Sequence, residues 1–235
     1  MKKKTRWPIY LIIGLIITFI AFTVPLPYYI EVPGTSEDIR KVLQVNNQSD
    51  QEEGSYQFVT VGVKHARMVD LVYAWLTPFT DIRSAKEMTG GSSDAEFMRI
   101  NQFYMETSQN MAKYQGLKAA GKEIELKYLG VYVLTVTDNS TFKGILNIAD
   151  TVTAVNDKTF ESSKEMVDYV NSQTLGDKVK VTYQEDGKVK TAEGKIITLE
   201  NGKNGIGIGL IDRTEVSSDV PIKFSTAGIG GPSAG

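Results

Sequence analysis

Cysteine is absent from the sequence and histidine occurs once, as His65. No disulfide framework, thiolate nucleophile or Cys-based zinc site is therefore available, and no paired-histidine metal motif can be written. A Ser-His-Asp mechanism would have to run through His65, whose surroundings read instead as a strand-to-helix junction. No Gly-x-x-x-x-Gly-Lys-Ser/Thr string occurs, so neither an ATP site nor another cofactor is expected. Acidic residues are missing from the amino end: Lys2, Lys3, Lys4 and Arg6 all precede the first carboxylate, Glu31. Of 26 basic and 28 acidic residues, those four leave 22 against 28, a formal −6 from residue 31 onward. That balance disfavours nucleic acid as a partner. At 235 residues the chain is long enough for one or two domains with a real core.

Pro8 to Pro27 carries no charge. Roughly 20 apolar residues rising 1.5 Å each would cover a hydrocarbon core of about 30 Å, and the basic head would hold the amino terminus in the cytoplasm. The apolar run exceeds a signal-peptide core and no Ala-x-Ala-like site follows it. A retained signal-anchor is thus expected over 8–27. It would make a single-pass cell-membrane protein with its bulk outside the cell.

Beyond the anchor, Tyr56 to Val63 alternates apolar and polar residues as a strand does, and His65 to Leu76 has helical spacing that stops before Pro78. Ser93-Asp-Ala-Glu96 is a capping box. It opens a helix that ends at Gly121 and is expected to pack through Phe97, Ile100, Tyr104, Met111 and Tyr114.

From Lys127 the pattern changes to short β-rich runs with frequent turns. Tyr128 to Val136 reads as a strand, as does the run from Ile148 into the Asn156-Asp157 turn. Ser162-Ser-Lys-Glu165 opens a helix with Met166, Val167 and Val170 inward, and a hairpin turns at Asp186-Gly187. Leu129-Gly130-Val131, then Lys143 to Asp157, then a short helix, resembles a PDZ domain of the bacterial protease-associated type. The resemblance implies that Leu129, Gly130 and Val131 form a carboxylate-binding loop. It also implies that Met166 and Val170 face the side chain of a peptide bound as an added strand. Ala149-Asp150 stands where the commoner PDZ sequence has Gly-Asp.

Gly205 to Asp212 and Val220 to Ser225 read as two further strands. They precede Gly228-Ile-Gly-Gly-Pro-Ser-Ala-Gly235, a loop suited to exposing Ser233 among free N–H groups. The anchor, Ala74-Trp-Leu-Thr-Pro78, Asn101-Gln102 to Asn110, the PDZ-like module and this terminal motif together resemble the SepM/YlbL-type membrane-anchored PDZ proteins with a Lon-like serine protease domain. That resemblance implies a serine endopeptidase that needs no ATP. Ser233 would be its nucleophile and a lysine its base, the lysine's pKa lowered by burial. In Lon-like proteases the lysine lies some tens of residues after the serine, and this sequence stops two residues after Ser233. The chain as it stands is therefore expected to have no appreciable activity. The alternative is a non-catalytic, membrane-tethered PDZ peptide-binding protein. In either case the partners expected are peptides or unfolded segments.

The fold class implied is α+β: an N-terminal transmembrane helix, a mixed α/β connecting region, a PDZ-like β-sandwich and the first strands of a Lon-like protease domain. The implied divisions are 1–7 cytoplasmic tail, 8–27 anchor, 28–121 connecting region, 122–200 PDZ-like domain and 201–235 start of the protease domain.

Overall fold

The computed structural model describes residues 6–226 and 228–231. In chain order the elements are α1 (Trp7–Thr23), β1 (Pro25–Asp38), α2 (Ile39–Val42), β2 (Leu43–Val45), β3 (Gln57–Arg67), α3 (Met68–Leu76), β4 (Asp81–Ser84), α4 (Ala85–Thr89) and α5 (Asp94–Ala119). They continue with β5 (Glu125–Val136), β6 (Thr151–Val155), α6 (Ser163–Asn171), β7 (Lys178–Glu185), β8 (Lys188–Lys195), β9 (Ile197–Thr198), β10 (Asn204–Gly205), β11 (Ile208–Ser217) and β12 (Ile222–Phe224). The chain divides into two units, Met1–Ile39 with Ser55–Asp94, and Arg40–Gly54 with Ala95–Gly235.

The expected transmembrane anchor is corrected. α1 holds 17 residues, a length of about 26 Å at 1.5 Å per residue. No described helix is long and apolar enough to cross a membrane. The uncharged stretch does not stay helical to Pro27. Val24 turns extended with ψ 118°, and Pro25 and Pro27, which cannot donate to a helical ladder, already belong to β1. The single-pass cell-membrane localisation falls with the anchor.

In the first unit β1 is the middle strand of an antiparallel sheet ordered β3-β1-β4. Ile30 sits at its centre, opposite Lys64 on one side and Ile82 on the other, with no exposed surface. The register slips between Pro25 and Tyr29 and again between Pro33 and Ser36, where prolines remove ladder donors. The helix expected from His65 starts three residues later, at Met68. His65 stays on β3 opposite Tyr29 and stacks on its ring with centroids 4.3 Å apart. Asp70 then fixes the helix start by accepting the Arg67 N–H at 2.8 Å and the Lys64 ammonium at 2.9 Å. Losing solvent raises the Asp70 pKa, but these bonds outweigh that effect and hold its carboxyl below the usual range.

The second unit is built on an antiparallel five-stranded sheet, β11-β5-β6-β7-β8. Val131, Val133, Val152, Val155, Val179 and Val181 from its strands pack with Phe142, Met166, Ile196 and Ile206 into one core. The expected hairpin closes at Asp186-Gly187 between β7 and β8. Residues 208–217 form the strand beside β5, and β12 pairs with β2.

α5 ends as expected, with the Gly121 N–H on the Lys118 carbonyl and the Lys122 N–H on that of Leu117, both at 3.0 Å. Its packing stripe differs from the expected one. Phe103, Met105 and Leu117 are the buried residues, while Met111 is 38% exposed. Phe103 lies flat on Tyr132, centroids 3.7 Å apart and 11° between planes.

Candidate functional site

Leu129, Gly130 and Val131 lie inside β5, which has a strand on each side. Val131 is wholly buried and pairs with Asp212 on β11 and Val152 on β6. Leu129 is the extra residue of a bulge, because Gly130 faces Arg213 and Tyr128 faces Thr214. A Cβ on Gly130 would stand 2.3 Å from the Val152 carbonyl oxygen, so that glycine serves close strand packing. At Val131 both sides of the strand are thus occupied, while β6 pairing begins only there and leaves Leu129 and Gly130 without a β6 partner.

Met166 and Val170 are buried on α6, at 2% and 5% exposure, and face a different strand. With Leu199, Ile206, Ile208 and Leu210 they line an apolar cavity of about 50 Å³ between α6 and β11. Both ends of this groove are tied. At one end the Asp212 carboxylate on β11 accepts the Ser163 N–H of α6 at 2.9 Å. At the other, the Asn204 amide donates to the Gln173 carbonyl at 2.8 Å. The α6 cap is half of the box the sequence suggests. Ser162 Oγ accepts the Glu165 N–H at 3.2 Å, but the Glu165 carboxylate accepts from the Glu161 N–H at 3.0 Å.

The loop entering β11 is organised by its carbonyls. The Ile206 carbonyl accepts Ser140 Oγ–H at 2.6 Å, and the Gly207 carbonyl accepts the Thr137 N–H at 2.8 Å. In a planar trans peptide the N–H points opposite to the C=O, so the N–H groups of Gly207 and Ile208 are turned away from these partners. Gly207 has φ 72°, and a Cβ there would meet Thr137 Oγ1 at 2.5 Å. Only glycine fits that backbone without strain. Successive N–H groups around such a residue form an anion-binding concavity. β11 is the edge strand of its sheet. By strand alternation Ile208 turns its own N–H and C=O to the open edge. Further along, the Asn110 side chain covers that edge at the Thr214 carbonyl, at 3.1 Å.

The Tyr128 hydroxyl is buried without a hydrogen-bond partner among the described residues. Burial, then the carboxylates of Asp212 and Glu165, push its pKa up to about 12. Sequence reasoning missed Ile206, Gly207, Ile208 and Leu210 as site residues. The signal was the alternation Gly205-Ile-Gly-Ile-Gly-Leu210, in which every second position lacks a side chain.

Ser233 lies outside the described residues. The described part of its motif touches α5 where the Gly231 N–H donates to the Asn101 carbonyl at 2.8 Å, and just before the motif the Gln109 amide donates to Thr226 Oγ1 at 2.8 Å. Lys223 donates to Asn47 Oδ1 at 2.7 Å. Among the described residues no cluster of three or more His, Asp or Glu side chains could hold a metal ion.

The sequence profile of the PDZ domain family matches residues 102–196. Among solved structures, the PDZ domain of an SdrC-like protein from Listeria monocytogenes is 35% identical, over 37% of this chain and 93% of that one, with a TM-score of 0.35. The PDZ domain of an SdrC-like protein from Listeria innocua is 38% identical over 34% of this chain and 92% of that one, with a TM-score of 0.33. A solution structure from Geobacillus thermodenitrificans is 30% identical over 34% and 94%, with a TM-score of 0.31. No curated protein matches the chain.

Proposed function

From the premise that this chain belongs to the PDZ domain family through residues 102–196, we propose that it captures the carboxyl-terminal end of a peptide as a strand added to β11. The observation that carries this reading is the groove itself. An edge strand stands opposite α6, with an apolar cavity beneath and two N–H groups released at the Gly207 turn. Backbone bonds to β11 would supply affinity, and the N–H groups at Gly207 and Ile208 would hold the terminal carboxylate. The aliphatic lining of Leu199, Ile206, Ile208 and Leu210 favours an aliphatic side chain at the last position.

The test uses the full chain and peptides ending in Val with a free carboxylate, the same peptides amidated, and a version ending in Trp. The free acid should bind with its largest amide shifts at Gly207 and Ile208. Amidation should weaken binding about tenfold or more, as loss of a charge-assisted hydrogen bond does, and the Trp peptide should bind least. Equal affinity for acid and amide would sink the carboxylate reading.

The hydrolytic reading concerns Ser233 and draws its support from the Gly-Pro-Ser-Ala-Gly motif and the resemblance to Lon-like serine proteases. In that reading the groove delivers peptides to a Ser–Lys endopeptidase. In the non-catalytic alternative the groove's docking is the whole function. Peptide cleavage by the product of the whole reading frame, compared with its Ser233→Ala variant, separates them. Cleavage that disappears with the hydroxyl supports the nucleophile, and cleavage that survives its removal overturns it.

A further inference from the structure

A second cavity, of about 300 Å³, lies in the same unit, away from α6, and shares no residue with the groove. It is bordered by α5, by β5 and by the β7–β8 turn. Its base is the Phe103–Tyr132 stack, in which Tyr132 is 7% exposed. Four charged side chains face into it: Arg99 and Glu106 from α5, Asp186 from the turn and Arg213 from β11. Two cations and two anions around one cavity would ordinarily neutralise each other in pairs. Among the described residues no ion pair joins any of the four.

Arg213 is held in place by a different kind of partner. Its Nη1 donates at 2.6 Å to Thr151 Oγ1, on a residue 1% exposed. A hydroxyl fixes the guanidinium's position without neutralising its charge, so the fork is anchored and still has donors to spare. The Tyr132 hydroxyl feels Arg213 and Arg99 on one side and Glu106 and Asp150 on the other. Burial dominates and raises its pKa, so it stays protonated and able to donate.

We propose that this cavity is a second binding site taking a small zwitterion of amino-acid or dipeptide size. The ligand's carboxylate would lie on the Arg99 and Arg213 guanidiniums and its ammonium against Glu106 and Asp186. A volume of about 300 Å³ suits a ligand of that size. The two carboxylates at the rim disfavour polyanions, and a simple cation would meet both guanidiniums. A molecule carrying one charge of each sign satisfies all four groups. The apolar stack beneath would take its carbon skeleton.

Amide shifts of Phe103, Tyr132 and Asp186 in the full chain test this, with three probes: glycylglycine, N-acetylglycine and glycinamide. Glycylglycine should bind saturably, and each singly charged probe should bind at least about tenfold more weakly. Arg99→Gln, an exposed change that leaves the core intact, should weaken glycylglycine by a similar factor, and Glu106→Gln should weaken it without affecting N-acetylglycine. No saturable shift with glycylglycine, equal binding of N-acetylglycine, or an unchanged affinity in Arg99→Gln would each overturn the proposal. Groove binding is read separately at Ile208, so failure of one site is distinguishable from failure of the other.

Discussion

Ala149 has φ 83°, a left-handed backbone where the commoner PDZ sequence supplies glycine. The turn persists because Asp150, 3% exposed, accepts the Asn147 N–H through Oδ2 at 2.8 Å. Burial pushes the Asp150 carboxyl upward despite that bond. A non-glycine residue in the left-handed region costs about 1–2 kcal/mol, so Ala149→Gly should raise stability by about 1 kcal/mol in a urea melt. A lower midpoint would show that the alanine methyl makes a compensating contact.

Tyr128 gives a prediction in pH. Its hydroxyl titrates at about 12 in the fold against 10.0 when unperturbed. The folded state therefore keeps the proton after the unfolded state has lost it. This contribution is intact below about pH 10 and falls away as pH rises from 10 to 12. Tyr29, also raised to about 12, acts in the same direction from the other unit. Tyr128→Phe should flatten part of the alkaline decline measured by denaturation between pH 9 and 12. Because it deletes an unpartnered buried hydroxyl, it should cost little at pH 7. An alkaline slope identical to that of the native chain would exclude Tyr128 as a contributor.

Among the elements, α5 shows how periodicity can identify a helix and mistake its face. Its length and ending follow from Ser93 at one end and Gly121 at the other, which are local signals. Phe103 is buried against Tyr132, a ring that lies beyond the helix, and no spacing within the helix announces that ring. Truncating Phe103 to Ala should cost about 3 kcal/mol, the usual figure for a buried phenylalanine. The loss should appear in the melt of the second unit. A cost below about 1 kcal/mol would mean that the stack contributes little beyond surface cover.

β11 shows a related effect in a strand. Its alternation was legible as β structure, but its neighbour was not. An edge strand and an interior strand look alike in sequence, and only the pairing of Ile208 to Ser217 with β5 distinguishes them. Helical spacing put Met166 and Val170 on the inner side of α6, and the strand they face is identified only by the pairing of β11 with β5.

For the whole molecule, the two units differ in how much apolar surface they bury. The second has a continuous core running through three adjacent strands of its sheet, β5, β6 and β7. The first buries Tyr29, Ile30 and Ala66, and leaves Val59 74%, Trp75 83% and Phe79 90% exposed. Apolar burial is the main source of protection against opening. Amides of β3 should therefore exchange with solvent well before those of β6 and β7, by hydrogen exchange read residue by residue. Equal protection in the two sets would mean that the first unit gains stability from something other than its own core.

What the sequence determined alone is local chemistry. No thiol and a single imidazole excluded whole classes of site. Capping and turn residues placed α6 and the β7–β8 hairpin, and the spacing of Met166 and Val170 placed the inner face of α6. Tertiary structure decided what depends on partners distant in the chain: that the apolar amino-terminal stretch ends as a 17-residue helix running into a strand, and that Phe103, Met105 and Leu117 are the residues of α5 that become buried. It also decided that the open edge beside α6 belongs to β11. A side chain's propensity is a property of nearby residues, whereas an edge exists only once every other strand has found its neighbour.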